Sequence, residues 1–302
     1  MIAISGTLKQ RIRKSWLCYF MMIPFFILFF IFIILPILSA VFLSFTNFNM
    51  LEIPKFVGAD NYIRMLLDDD EFLIAIKNTL VFALITGPVS YFACFFFAWF
   101  INELGRKLRT ILTILFYLPS MSGMVFIIWT FIFSGDQYGL INSMLLNLSL
   151  IDEPVQWLTN ATTIMPVIII VQLWMSLGVS FLAFIAGLQN VDKQIYEAAA
   201  VDGLKNRFQE LFYVTLPSMG PQLLFSAVMQ ITAAFSVGSV CTALAGFYST
   251  DNAALTIVTH IEDYGNVRFE MGYACAISVL LFAVMLFLSE FLQRFIRKHT
   301  SI

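Results

Sequence analysis

The chain has 302 residues, of which 60% are hydrophobic and only 12% are charged, and its net charge at pH 7 is −2. Length alone would suggest about two soluble domains, but soluble proteins carry about 25% charged residues, and the mean hydropathy of +0.87 excludes that class. The sequence shows no basic stripe with interleaved aromatic residues, so nucleic acid is not an expected partner.

Apolar runs longer than the roughly 18 residues needed to cross a bilayer recur along the chain and predict a multi-pass membrane protein. Because backbone groups in lipid must be hydrogen-bonded within each segment, every run is predicted to be a helix and the fold class to be all-α. The first run is too long for a signal-peptide core and is expected to stay in the mature chain. The six predicted transmembrane helices are residues 16–45, 78–101, 110–133, 162–186, 221–246 and 271–293.

The placement of basic residues predicts the orientation, because cytoplasmic segments retain Lys and Arg. Thirteen of the 17 Lys and Arg residues fall on one side of the predicted helices, which is therefore the expected cytoplasmic side and includes both termini. This side comprises segment 1–15, the loop after the second helix, the loop 192–217 and the tail 294–302, and residues 46–77 form the first outer loop. The cytoplasmic basic residues are Lys9, Arg11, Arg13, Lys14, Arg106, Lys107, Arg109, Lys193, Lys205, Arg207, Arg294, Arg297 and Lys298.

Two polar clusters lie in the predicted outer loops. An acidic run occupies residues 68–71, and His260, Glu262 and Asp263 form an H-x-E-D pattern. The pattern could be offered as a metal site, but the only other histidine, His299, follows the last helix on the opposite side, so no metal site is predicted. Both clusters are expected to be solvated, with docking of a binding protein on the acidic run as the alternative.

The sequence patterns of the common catalytic sites are absent. No Gly-Lys dipeptide of a phosphate-binding loop occurs, so any ATPase must be another polypeptide, and this chain is predicted not to be an enzyme. The four cysteines lie in apolar runs without C-x-x-C spacing, which favours neither a disulfide framework nor a zinc site. A membrane-embedded enzyme, the alternative, would need clustered acids, histidines or an activated serine in the bilayer. The predicted helices also carry no deep ionisable residue, which counts against an ion-coupled carrier.

Neutral polar residues recur at helical spacing in the fourth and fifth predicted helices. With aromatic rings at Tyr117, Trp129 and Trp174, they suit a neutral sugar, whose hydroxyls need hydrogen bonds and whose C–H faces stack on rings. Packing between helices is the alternative, and it applies least to the two glutamines, because a large amide in lipid is costly unless it is satisfied. The predicted substrate path consists of Gln172, Trp174, Ser176, Ser180, Ser226, Gln230 and Ser236.

Residues 192–217 gather charges around one glycine between two apolar runs. Asp192 is a predicted N-cap, an alanine-rich helix follows it, and Asp202-Gly203 is a turn signal at which that helix should end. Gly203 is expected to adopt a positive φ. A second helix, ended by prolines, is predicted from the spacing of Leu204, Phe208, Leu211 and Phe212. The segment should present a knob to another protein, or, alternatively, rest on lipid headgroups.

This loop resembles the EAA motif of the permease subunits of bacterial ABC importers. The matching residues are Glu197-Ala198-Ala199, Asp202-Gly203 and Thr215-Leu216-Pro217. The segments FVGADNYIRML, NTLVF and EMGYACAISVLLF resemble the first permease of the carbohydrate-uptake branch, so the resemblance covers nearly the whole chain. One residue more separates Gly203 from Leu216-Pro217 than in the commonest form of the motif.

The resemblance implies a type I importer fold in the cytoplasmic membrane of a bacterium, with a five-helix core at 78–293 preceded by one extra helix. It implies that residues 192–217, here called the coupling loop, seat in a groove of a cytoplasmic ATPase. The implied partners are a second, homologous permease, two ABC ATPase subunits and an extracellular solute-binding protein. ATP and Mg belong to the ATPase, and no cofactor is expected on this chain. The residues implied to couple are Glu197, Ala198, Ala199, Asp202, Gly203, Phe208, Leu216 and Pro217.

The predicted function is therefore that of an ABC importer permease for a neutral carbohydrate, expected to be an oligosaccharide, that works by alternating access. Another solute, such as glycerol phosphate, a peptide or an amino acid, is the alternative within this class. An anionic substrate would favour a basic residue in the path, and the sequence places none there.

Overall fold

The computed structural model describes residues 15–123 and 125–299, with side chains as far as residue 296. Within these ranges the chain consists of helices and loops, with one isolated β-bridge between Thr46 and Phe56. The predicted all-α class is confirmed for this part of the chain. The four basic residues at positions 9–14, which contributed to the predicted orientation, lie outside the described residues.

The helices are numbered here in chain order. They are α1 Trp16–Leu43, which contains a π-helical turn at Phe30–Ile34, α2 Asp60–Leu67, α3 Asp70–Asn102, α4 Arg106–Met121, α5 Val125–Ile132, α6 Leu140–Asn147, α7 Ile164–Met175 and α8 Val179–Asn190. They continue with α9 Lys193–Val201, α10 (Arg207–Glu210, a π turn Leu211–Thr215 and Leu216–Ser218), α11 Gly220–Phe235, α12 Ser239–Ala245, α13 Ile257–Glu262 with a π turn Asp263–Val267, and α14 Met271–His299.

Among the described residues, five helices are long and apolar enough to cross a membrane: α1, α3, α7 with α8, α11 with α12, and α14. The third predicted span, 110–133, is not one helix, because α4 ends at Met121 and the axis of α5, which begins at Val125, is bent from it by 86°. The two together make a sixth span if they cross as one. The second span begins at Asp70 rather than at residue 78, because the Asp69 carboxylate accepts a hydrogen bond from Phe72 N and caps a longer helix.

Two further spans are interrupted inside the predicted apolar runs. The breaks fall at 176–178, between α7 and α8, and at 236–238, between α11 and α12. Both triplets read Ser-x-Gly, and glycine is a poor helix former. The predicted single helices 162–186 and 221–246 are therefore each two helices in line. Backbone groups freed inside a bilayer need other partners, which ties these breaks to polar side chains on neighbouring helices.

Helix α3 lies at the centre of the fold. It packs against α7, α8 and α11, and apolar clusters surround it at both ends, with Phe72 in the cluster at its N-terminal end and Trp99 in the cluster at its C-terminal end. A third cluster around Phe82 joins it to α7 and α12. The end of α3 is thus held rigidly beside the coupling loop.

Helix α1 lies outside this core, and none of its residues is buried. Its last part, Leu35–Leu43, packs against α14. The chain that follows is fixed where Gly272 N donates to Phe48 O at 2.9 Å. A Cβ on Gly272 would lie 2.0 Å from Thr46 O, so this close approach requires glycine. Most of the apolar surface of α1 remains open to lipid or to another protein.

Candidate functional site

The first half of the coupling loop is a capped helix that ends in a glycine turn. The Asp192 carboxylate accepts from Gln194 N at 3.0 Å and begins α9, as predicted. At its end, Leu204 N donates to Ala199 O at 3.1 Å and Gly203 N to Ala200 O at 3.2 Å, the two hydrogen bonds of a Schellman motif. Gly203 has φ +97°, which confirms the expected positive value.

The second half differs from the predicted stripe. Phe208 and Phe212 are each 63% exposed, whereas Leu211 and Val214 are buried. After Phe208 the helix contains a π turn, Leu211–Thr215, in which hydrogen bonds run from residue i+5 to residue i, so the spacing of buried residues within the turn departs from that of an α-helix. A π turn contains one residue more than an α turn, which matches the one additional residue between Gly203 and Leu216-Pro217. The helix ends at Ser218 rather than at Pro217.

Six of the eight residues implied to couple are exposed. Glu197, Ala198, Asp202, Gly203, Phe208 and Pro217 are exposed, Leu216 is half-buried, and Ala199 is buried. Val201, which sequence reasoning did not single out, is 88% exposed beside them. A face of small and apolar side chains that is open in the single chain is typical of a surface that another protein covers.

The coupling loop is also attached to the core away from its covalent ends. The Tyr196 hydroxyl lies 2.8 Å from Thr215 Oγ1 and joins the two halves of the loop. The Arg207 guanidinium lies 3.4 Å from a carboxylate oxygen of Glu103, just after the end of α3. Sequence reasoning missed Glu103, because no local pattern relates it to a residue about a hundred positions away. A cleft of about 530 Å³ lies between the loop and the ends of α3 and α4.

Four residues of the predicted substrate path hold helices together in this conformation. The Gln230 amide Nε2 lies 3.4 Å from Ser176 O, the carbonyl at the break between α7 and α8, and 3.3 Å from Cys94 Sγ. Ser180 and Ser226 are buried and exchange hydrogen bonds through hydroxyl and backbone oxygens, at 3.3 and 3.4 Å. These contacts give the packing explanation a specific basis at Ser180, Ser226 and Gln230, and they account for the broken helix.

The other predicted path residues are more open. Trp174 is 39% exposed, and its ring lies 5.3 Å from that of Trp129 in an edge-to-face arrangement. The indole Nε1 of Trp129 is buried without a hydrogen-bond partner. Gln172 is half-buried and Ser236 is exposed. The exposed ring of Trp174 therefore offers an open face on which the C–H side of a sugar could stack.

Each of the two polar clusters contains buried residues, contrary to the sequence expectation, although Asp68 and Asp70 of the acidic run are exposed. Asp69, from the acidic run, is 8% exposed and His260 is 1% exposed. Asp69 accepts from the Tyr273 hydroxyl at 2.6 Å and lies 2.9 Å from His260 Nε2. Burial opposes ionisation of Asp69, but the hydrogen bonds from Tyr273, Phe72 N and His260 outweigh it and lower its pKa. One carboxylate thus ties α3, α13 and α14 together.

Arginine side chains extend this cluster. Arg268 lies 2.7 Å from a carboxylate oxygen of the buried Asp263, 3.2 Å from Glu71 and over the ring of Tyr264. Arg64 pairs with the Glu270 carboxylate. In the described ranges no group of His, Cys, Asp or Glu side chains is placed to hold a metal ion. The carboxylates of the cluster instead pair with arginine or accept hydrogen bonds from tyrosine and histidine, which indicates a structural junction between the ends of α3, α13 and α14.

Comparison with known proteins places this geometry in context. Residues 94–302 match the family described as "Binding-protein-dependent transport system inner membrane component". The chain is 33% identical over 282 residues to "Probable ABC transporter permease protein YesP" of Bacillus subtilis (strain 168), covering 92% of this chain and 89% of that protein. It is 32% identical over 273 residues to "Arabinooligosaccharides transport system permease protein AraP" of the same organism, covering 90% and 85%.

The fold is also shared with a solved structure. A chain in the crystal structure of a bacterial alginate ABC transporter, in complex with an alginate pentasaccharide-bound periplasmic protein, matches with a TM-score of 0.79. The match covers 98% of this chain and 99% of that chain at 24% identity. This likeness shows that the two chains share a fold.

Proposed function

Because the chain belongs to the family of inner membrane components of binding-protein-dependent transport systems, we propose that it is the permease subunit of an ATP-driven importer of a neutral carbohydrate, with an oligosaccharide as the expected substrate. It works in the cytoplasmic membrane beside a second permease, two ATPase subunits and an extracellular solute-binding protein. The ATPase subunits hold ATP and Mg, and this chain contributes the path and the coupling loop.

The observation that carries the proposal is the exposed face of the coupling loop. Ala198 and Val201 lie on a short helix that is capped at both ends by local hydrogen bonds, so the loop keeps its shape without a partner. Small side chains on one face let a groove close over the helix. When ATP binding closes the ATPase dimer, movement of the seated loop shifts α8 and α11, which flank it in the chain, and alternates access to the path.

The substrate class is supported by chemistry and by relatives. The path region carries amides and hydroxyls but no ionisable side chain deep in a described span, which suits a neutral polyhydroxy ligand. The relative AraP is described as transporting arabinooligosaccharides. Uptake by vesicles that hold the whole complex should be competed by neutral oligosaccharides and not by glycerol phosphate or a dipeptide, and the reverse pattern would assign the substrate to the other class.

The coupling role is tested by Ala198→Trp, which places a large ring on the exposed face of α9. The complex is purified through a tag on this chain, and both the amount of ATPase subunit and the rate of ATP hydrolysis are measured. We expect loss of the ATPase subunit with normal membrane insertion, because the segment lies outside the spans. The matched control is Ala59→Trp, at another exposed alanine, which immediately precedes α2 and lies outside the coupling loop. Normal ATPase content and hydrolysis in Ala198→Trp would remove the coupling assignment.

A further inference from the structure

Two adjacent residues of the coupling loop contact a helix to which the loop has no covalent link nearby. Arg207 lies 3.4 Å from the carboxylate of Glu103, and the ring of Phe208 lies 5.7 Å from that of Trp99. Trp99 belongs to the last turns of α3 and Glu103 follows its end, whereas the loop itself connects α8 to α11. The loop therefore has a third attachment besides its two covalent ends.

The π turn Leu211–Thr215 sets the direction of this attachment. Leu216 N donates to Leu211 O and the Thr215 hydroxyl lies 3.3 Å from Glu210 O, both spanning five residues. An α-helix turns about 100° per residue, so removing the additional residue would rotate the part before the turn by about that angle relative to the part after it. Arg207 and Phe208 would then point away from α3. The π turn thus acts as a spacer that orients the side chains of Arg207 and Phe208 toward α3.

We propose that Glu103 and Trp99 are positioning residues that attach the coupling loop to α3, so that movement of the seated loop is passed to the central helix as well as to α8 and α11. The proposal rests on the proposed function, since it requires an ATPase to move the loop. Helix α3 lies at the centre of the fold and packs against α7, α8 and α11. A displacement of its C-terminal end would therefore be transmitted to all three helices.

The ion pair is suited to transmission and contributes little to folding. The side chains of Arg207 and Glu103 are 66% and 43% exposed, and ion pairs at such exposure add little stability. Arg207 is also held by Glu210 at 2.8 Å within its own helix, so it remains ordered when Glu103 is replaced. A transport defect in a Glu103 variant would therefore report on coupling rather than on unfolding.

The first experiment reverses the charges of the pair in the whole reconstituted complex. The readout is the amount of substrate transported per ATP hydrolysed, with ATPase content measured alongside. Glu103→Arg should keep its ATPase subunit but lower this ratio by about fivefold, the factor equivalent to about 1 kcal/mol. Adding Arg207→Glu should restore most of the ratio by re-forming the pair. The matched control, Glu210→Gln, removes the other partner of Arg207 and should stay near the parent ratio.

The second experiment tests the spacer. Deletion of Tyr213 removes one residue from the π turn, and Tyr213→Ala, which keeps the residue count, is its control. The deletion should lower the ratio of substrate transported to ATP hydrolysed, as Glu103→Arg does. Combining Glu103→Arg with the deletion should lower the ratio no further, because in the deletion variant the Glu103 carboxylate has already lost its contact with Arg207. Tyr213→Ala should stay near the parent ratio.

The outcomes distinguish a failure of this proposal from a failure of the proposed function on which it rests. An unchanged ratio in Glu103→Arg, or a charge swap that restores nothing, overturns the attachment to α3 while leaving the coupling loop in place. A parent complex that contains no ATPase subunit overturns both proposals together. A lowered ratio with intact ATPase content, restored by the swap, supports both.

Discussion

Replacement of Gly203 perturbs the turn of the coupling loop without touching any packed side chain. A Cβ built on this residue meets no atom within 4 Å, so steric exclusion by neighbours plays no part. The penalty comes from the backbone alone, because φ is +97° and L-residues with a Cβ disfavour the left-handed region by about 1–2 kcal/mol. At 1.4 kcal/mol per factor of ten, Gly203→Ala should reduce the population of the native turn by about 5- to 30-fold relative to competing conformations.

Three substitutions separate backbone strain from charge. Ala adds only the strain, Asn tolerates the left-handed region better, and Asp has the size of Asn with an added negative charge on the face that the ATPase is proposed to cover. We expect Asn to stay near the parent, Ala to lower coupling, and Gly203→Asp to uncouple hydrolysis from transport. Membrane insertion should be normal in all three.

The assay measures ATP hydrolysis stimulated by loaded binding protein, together with uptake, in purified complexes that carry each variant. Equal coupling for Ala and Asn would show that the strained turn does not matter. Normal stimulated hydrolysis and transport in the Asp variant would leave residues 192–217 as a surface loop. Either result would refute the reasoning from the geometry of Gly203.

Three further predictions concern the membrane and outer parts of the chain. A membrane-impermeant thiol reagent applied from outside should label a cysteine placed at Asp68 but not one at Lys205, and the opposite pattern would reverse the orientation. Gln172→Leu should impair uptake while the complex stays intact. Gln230→Leu should in addition lower the free energy of unfolding by about 1–3 kcal/mol, because it removes an amide donor from the helix break. An unchanged free energy of unfolding in the Gln230 variant would contradict this prediction. The lowered pKa of Asp69 means that its contribution to stability is present at neutral pH and is lost as the pH falls through that pKa. Asp69→Asn should therefore lower Tm at neutral pH and flatten the acid limb of the curve of Tm against pH. A curve that runs parallel to that of the parent would contradict this prediction.

The all-α class and the positions of the five or six apolar spans could be predicted, because the bilayer fixes the length of an apolar span. Their ends and breaks could not. Hydropathy does not register that Asp69 caps α3, so that the helix begins at Asp70, eight residues before the predicted start. It also does not register the break at Ser176, whose carbonyl is stabilised by Gln230, 54 residues away in the chain. Such features depend on tertiary partners that a local window does not contain.

The coupling loop was predictable where its structure is local. The cap at Asp192 and the turn at Gly203 follow from the residues themselves and are present in the structure. The second helix was predicted and is present, but its π turn at Leu211–Thr215 was not, because the spacing of apolar residues was interpreted with the period of an α-helix. One extra residue in the motif was the available signal for that turn.

The outer junction was missed for a different reason. Asp69 and His260 are 191 residues apart, and each lies in a polar segment that resembles a solvated loop. Their burial follows from folding of α2, α13 and the ends of α3 and α14 over them. Composition indicates where charges occur in the chain, but it does not indicate which of them meet.

The central claim is that this chain forms the path of an importer driven by an ATPase seated on residues 192–217. The most direct measurement reconstitutes the purified complex in proteoliposomes and follows entry of a labelled neutral oligosaccharide with ATP and loaded binding protein, in the parent and in Ala198→Trp. The account predicts uptake that requires both ATP and binding protein in the parent and none in the variant. Uptake in the parent without ATP, or equal uptake in the variant, would contradict it.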